Sequence, residues 1–100
     1  MKIVSEGATL TLRGWVELNA ANAEAFREEA RAALTAEHKQ IQVDLSQMAF
    51  IDSSGLGALI ALHKTMCARQ GIVRLVNPTP SVLQILELTR LHRIFEIVRN

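Results

Sequence analysis

The chain has 100 residues, about the size of one domain, and leaves no room for a separate catalytic module or a long linker. With 49% apolar residues it can build an ordinary core without disulfide or metal staples. Eleven Lys and Arg against ten Asp and Glu leave a net charge of +1, which supplies no field to draw nucleic acid or a bilayer surface, and the four aromatics, Trp15, Phe26, Phe50 and Phe95, are too few for base-stacking platforms.

In chain order, Ile3-Val4 and Thr9 to Arg13 alternate around Gly7, which predicts two short antiparallel strands joined as a hairpin, with Gly14 ending the second. From Asn19 or Asn22, either of which can cap, to about Ala36 the chain is rich in Ala, Glu and Arg. Phe26, Ala30, Ala33 and Leu34 recur there at helical spacing. Ile41 to Leu45 alternates as a strand, and after a short polar step Phe50-Ile51 leads into Asp52-Ser53-Ser54-Gly55. A second helix is expected over about Ser54 to Gln70, with Leu56, Leu59, Ile60, His63, Met66 and Cys67 on its apolar face and Gly71 as its stop. Val73, Leu75 and Val76 make a further strand, halted by Asn77-Pro78-Thr79-Pro80. Ser81 is the expected cap of a third helix that turns Val82, Ile85, Leu86 and Thr89 inward, and Ile94 to Val98 closes the chain as a strand. The order β-β-α-β-α-β-α-β implies right-handed crossovers: an α/β fold with a mixed, mostly parallel sheet packed with about three helices, in one domain over residues 1–100.

Cys67 is the sole cysteine, so no internal disulfide or multi-Cys metal site can form and the cytoplasm is the natural compartment. Its place beside Met66 on the apolar face predicts a buried thiol. Lys2, Ser5, Glu6 and Gly7 break up the start of the chain, so no signal peptide is read there, and no 18 consecutive apolar residues exist for direct membrane insertion. Charge is uneven: residues 1–62 carry five basic and eight acidic groups, residues 63–100 six basic and two acidic. Solvated helix faces and strand ends account for this ahead of a partner surface, and no ligand is assigned from it. Trp15, at a strand end, either covers an open core edge or anchors a partner.

The most informative stretch is Phe50 to Gly57, which sets two hydroxyls and a carboxylate where a strand hands over to a helix N-terminus. The free N–H groups and positive dipole end there favour an anion, including a phosphate on Ser53 or Ser54. Gly55 and Gly57 leave the turn open to a partner's backbone. The plainer alternative is a capped helix start, with Asp52 or Ser53 as N-cap and glycines that permit tight packing. A hydrolytic triad of Ser53, His63 and Asp44 lacks the glycine two residues before the nucleophile, where Ile51 stands. Gly55-Leu56-Gly57 lacks the third glycine of a dinucleotide fingerprint, because Ile60 occupies that place, and no P-loop lysine is present. His38, His63 and His92 are far apart with no ligand spacing, so neither a metal nor a cofactor is called for.

The run Phe50 to Ile60, the element order, Asn77-Pro78 and the Leu86 to Phe95 ending resemble the STAS domain (sulphate transporter and anti-sigma factor antagonist), in particular the small bacterial anti-sigma factor antagonists. The most specific piece is Asp52-Ser53-Ser54-Gly55-Leu56-Gly57. The resemblance implies a partner-switching protein, no enzyme itself. Unphosphorylated, such an antagonist captures an anti-sigma factor that is also a serine kinase and so frees a sigma factor; phosphorylation ends the capture, and a phosphoserine phosphatase restores it. Ser53 matches the phosphoacceptor, ahead of Ser54, whose hydroxyl is expected to face backbone, and Asp52 matches the acidic residue beside the acceptor. Gly14 matches a glycine before the partner-facing loop. The segment Trp15 to Asn19 that follows is longer than usual, with Glu17 or Asn19 where the family commonly has Asp. The partner surface implied is Glu17, Asn19 and Asp52 to Gly57. The chain stops at Asn100, so the additional C-terminal helix of many members is expected to be missing. Two other roles fit the same domain type: a subunit of a bacterial phospholipid-transport ABC complex that binds its ATPase, and a binder of a small ligand such as a nucleotide at the strand-end face.

Overall fold

The computed structural model describes residues 2–100. Its strands are β1 (Lys2–Glu6), β2 (Thr9–Arg13), β3 (Glu17–Leu18), β4 (Gln40–Asp44), β5 (Phe50–Ile51), β6 (Ile72–Val76) and β7 (Glu96–Val98). The helices are α1 (Ala23–Ala33), α2 (Ser53–Ala68) and α3 (Pro80–Leu88), with a 3-10 turn over Leu91–Arg93. A five-stranded sheet runs in the order β1-β2-β4-β6-β7, antiparallel only between β1 and β2. This is the mixed, mostly parallel α/β architecture that the alternating pattern predicts.

Strand alternation sorts the side chains into rows. Ile3, Leu12, Val43, Leu75 and Ile97 stand in register across the whole sheet, as do Leu10, Ile41 and Val73, and these rows belong to the core. Phe26 and Ala30 of α1, Leu59 and Met66 of α2, and Val82 and Leu86 of α3 complete that core. The opposite face carries the row Val4, Thr11, Gln42, Arg74 and Glu96, in which Arg74 Nη2 lies 2.9 Å from Glu96 Oε1. The sheet is therefore greasy on one side and polar on the other, as a half-covered sheet should be.

Several local expectations are corrected. Helix α1 ends at Ala33 and not near Ala36, because Leu34 turns to extended backbone (φ −72°, ψ 136°). Neither Asn caps α1 through N2 or N3: Asn22 occupies the N-cap position, but its Oδ1 accepts from Asn19 N, 2.9 Å away. Thr79, not Ser81, caps α3; its hydroxyl accepts from Val82 N while Pro80 fills the first turn, where a missing N–H costs nothing. Thr89, expected inward, is exposed, its hydroxyl donating to Ile85 O at 2.8 Å. The last strand is only Glu96–Val98, since Leu91 to Arg93 coil as a 3-10 turn first. Cys67 is exposed, so the buried-thiol reading is wrong. Ala58 and Leu62 take buried places on α2 that the expected stripe gave to Ile60 and His63, both only half-buried. Trp15 covers the core edge: it is 4% exposed and meets Phe26 edge-on, ring centroids 5.0 Å apart.

His38 is the one polar side chain among the described residues that is buried outright. Thr35 N donates to its Nδ1 at 3.0 Å, which leaves the proton on Nε2 to meet Ser5 Oγ at 2.8 Å. The imidazole thus ties the end of α1 to the outer strand β1. Replacing it with an isosteric apolar residue strands the Thr35 amide. His38→Leu is accordingly expected to lower unfolding free energy by about 1 to 3 kcal/mol in a urea titration.

Candidate functional site

Beyond the main sheet, β3 and β5 form a two-stranded parallel pair, Glu17 opposite Phe50 and Leu18 opposite Ile51. This pairing brings the Trp15 to Asn19 segment, read from sequence as loop, directly against the Asp52 to Gly57 turn. Leu18 and Ile51 point into the core; Glu17 and Phe50 point out. Asp52 stitches the two segments together. Its N–H donates to Leu18 O at 3.1 Å, its Oδ2 accepts from Ala20 N at 3.2 Å, and its Oδ1 accepts from Gly55 N at 2.9 Å, which makes it the N-cap of α2. Asp52→Ala removes both acceptors and is expected to cost about 1 to 2 kcal/mol in thermal unfolding, the scale of a lost N-cap.

Gly55 is a packing glycine, as the plainer reading of a capped helix start expects, and does not leave the turn uncovered. A Cβ there would run into the carbonyl oxygen of Leu18 and come within 2.8 Å of Ile51 Cγ1. Gly57, by contrast, has open space where its Cβ would be. Ser53 and Ser54 are both exposed in the first turn of α2, and among the described hydrogen bonds neither hydroxyl nor either N–H has a partner outside the helix. The expectation that Ser54 turns to backbone is therefore not met. Ser54 opens with Gly57, Ala58, Ala20, Ala23, Glu24 and Arg27 onto a groove of about 310 Å³ between α1 and α2, whereas Ser53 lies off it. Asn19, half-buried, is committed to its own loop: Oδ1 accepts from Ala21 N at 2.9 Å and its carbonyl from Ala23 N at 2.8 Å. Glu17 is exposed, and only its backbone carbonyl is used, by Asn22 Nδ2.

Two apolar residues were not foreseen. Phe50, 52% exposed, and Val16, 59% exposed, lie beside this turn; Val16 O accepts from Ala49 N at 2.7 Å. The signal for Phe50 was available, because its neighbour Ile51 is buried and adjacent strand residues face opposite ways. The structure also separates the rejected triad. His63 stacks edge-on against Phe95 two to three turns further along α2, and Asp44 Oδ1 accepts from Ser46 N instead of orienting a histidine.

The STAS domain family model matches residues 2–100. The chain belongs to the STAS family. A Thermotoga maritima relative assigned as an anti-sigma factor antagonist is 34% identical to this STAS chain over 82 residues, covering 81% of it and 73% of the relative. The crystal structure of a Thermotoga maritima protein with the same assignment superposes with a TM-score of 0.90 at 27% identity, over 99% of this STAS chain and 86% of that one. SpoIIAA, an anti-sigma factor antagonist of Bacillus, shares the fold in its unphosphorylated form at a TM-score of 0.82 and 22% identity, covering 96% of this chain and 85% of its own. Its phosphorylated form matches with a TM-score of 0.75 at 21% identity, over 96% and 88% of the two chains. Among the described residues of the STAS chain, no helix is long and apolar enough to cross a membrane.

Proposed function

We propose that this STAS domain, acting as one unit over residues 1–100, is a cytoplasmic anti-sigma factor antagonist switched by phosphorylation of Ser53. Unphosphorylated, it captures an anti-sigma factor serine kinase and frees a sigma factor. The phosphorylated form lets go, and a phosphoserine phosphatase resets it. The observation that carries this reading is the exposed, unengaged Ser53 in the first turn of α2, held in place by an Asp52 whose carboxylate is already spent on Gly55 and Ala20. The chain is the kinase's substrate and performs no catalysis.

The contact surface is formed by Glu17 and Asn19 on one segment and Asp52, Ser53, Ser54 and Gly57 on the other, which the β3 and β5 pairing sets side by side, whereas Gly55 and Leu56, expected in that surface, are buried beneath it. Phe50 and Val16 add apolar area at its rim, the kind of anchor that supplies binding energy when a partner pocket covers it. Names among the relatives support the reading, as does SpoIIAA, known in both phosphorylation states. The test is a pull-down from source-cell lysate with wild-type and Ser53→Asp baits. A serine-kinase-like anti-sigma factor held by the first and lost from the second supports the switch. An ABC ATPase held equally by both would make the chain a transporter subunit and Ser53 a bystander.

A further inference from the structure

Strand β1 is an outer strand of the five-stranded sheet and reads Lys2-Ile3-Val4-Ser5-Glu6. Outer strands commonly carry charged side chains, a proline or a bulge that stops another chain from adding to them. β1 has neither proline nor bulge, and no charge at its centre. Its register with β2 is unbroken over all five positions, and its charges stand only at its two ends. Among the described residues, no backbone hydrogen bond from outside the hairpin reaches residues 2–6.

The turn decides which backbone groups are free. Gly7, at φ 59°, and Ala8 form a two-residue turn, so Glu6 and Thr9 are the hydrogen-bonded pair that closes it. Alternation then directs the N–H and C=O of Lys2, Val4 and Glu6 toward β2 and leaves those of Ile3 and Ser5 facing away from the sheet. From this we infer that β1 is a homodimer interface: two copies pair antiparallel about a two-fold axis through Val4. In that register the free groups of Ile3 meet those of Ser5 in the second copy, and the reverse. Val4 stands opposite its own copy, and Lys2 stands opposite Glu6 on both sides of the axis.

Lys2, Val4 and Glu6 share one face of the strand, so two ion pairs flank one apolar contact. The alternatives forfeit this match. Parallel addition sets Lys2 beside Lys2 and Glu6 beside Glu6, and moving the axis by one residue leaves both charges without opposites. Because the same patch is used by both copies, the contact closes at two and consumes the open edge on each. The inference stands on the edge alone and is independent of the role given to Ser53.

Sedimentation velocity on the full chain, from about 10 μM to about 1 mM, tests it, since a short edge buries less than a standard interface and binds weakly. Wild type is expected to shift from monomer to dimer across that range. Lys2→Glu and Glu6→Lys put like charges opposite each other and are each expected to weaken association about tenfold or more. An equimolar mixture of the two variants, and the doubly reversed Lys2→Glu/Glu6→Lys chain, restore opposite charges and recover dimerisation, which also shows that the variants fold. A wild type that stays monomeric throughout, or a dimer indifferent to both single reversals, overturns the proposal.

Discussion

Ser53→Asp is expected to keep the circular dichroism spectrum and melting temperature of the wild type while weakening the proposed capture of an anti-sigma partner by more than about a hundredfold, a loss near 3 kcal/mol. The first half follows from where Ser53 sits. Its side chain is exposed and makes no hydrogen bond among those described, so nothing in the fold depends on the hydroxyl. Negative charge in the first turn of a helix is favourable by about 0.3 to 1 kcal/mol, because the N–H groups there lack partners. A phosphate, with about −1.5 to −2 charges at neutral pH, is tolerated for the same reason. The cost must then appear at the interface, where added charge beside Asp52 repels acidic partner groups and resists being stripped of water. Ser53→Ala is the complementary variant: it should fold, capture the partner and fail to release it when kinase and ATP are added. Calorimetric titration of each variant with the partner measures the difference. A melting temperature far below wild type for Ser53→Asp would instead make the residue a structural cap.

The largest effect on stability is expected at Gly55. An added methyl there meets the Leu18 carbonyl and Ile51 Cγ1, and neither can yield freely: Leu18 and Ile51 are paired with each other on β3 and β5, and Leu18 O also receives the Asp52 amide. Gly55→Ala should therefore lower unfolding free energy by about 3 kcal/mol, the upper part of the range for overpacking, and loosen the contact between the Glu17 segment and the helix start. Two residues on, the sign reverses. Gly57 has open space for a Cβ inside the same helix, so Gly57→Ala should stabilise by up to about 1 kcal/mol through helix propensity alone. Urea denaturation of the pair measures both at once. Equal and small effects would mean that the β3 and β5 pair does not press on α2.

Much of this arrangement could be read from the sequence because its signals are long or chemically sharp. The Thr9 to Arg13 alternation, the apolar periodicity of α2 and the Asp-Ser-Ser-Gly start each identify an element without help from neighbours. The parts that escaped depend on tertiary contacts. A two-residue strand has no period to detect, so β3 looked like loop, and with it the juxtaposition of Glu17 with the Ser53 turn stayed hidden. Helix α2 packs against α1 on one side and β6 on another, so its buried surface is too broad for a single stripe. A single stripe therefore omits Leu62 and turns Cys67 inward. At α3 the signal existed: Thr79 before Pro80 is a cap followed by proline in the first turn, and it outranks Ser81 on backbone grounds. The resemblance implies a partner contact at Asn19, yet its side chain and carbonyl are occupied with Ala21 and Ala23. Glu17 is the freer of the two residues that stand where the family commonly has Asp.

The polar row Val4, Thr11, Gln42, Arg74 and Glu96 runs on the side of the sheet turned away from the core. Thr11 stands second in it, on a strand hydrogen-bonded along both edges. A dye attached there through Thr11→Cys, with the exposed Cys67 changed to Ser, would ride on a rigid platform without displacing a core side chain. The proposed capture and release could then be followed in real time by energy transfer to a labelled partner.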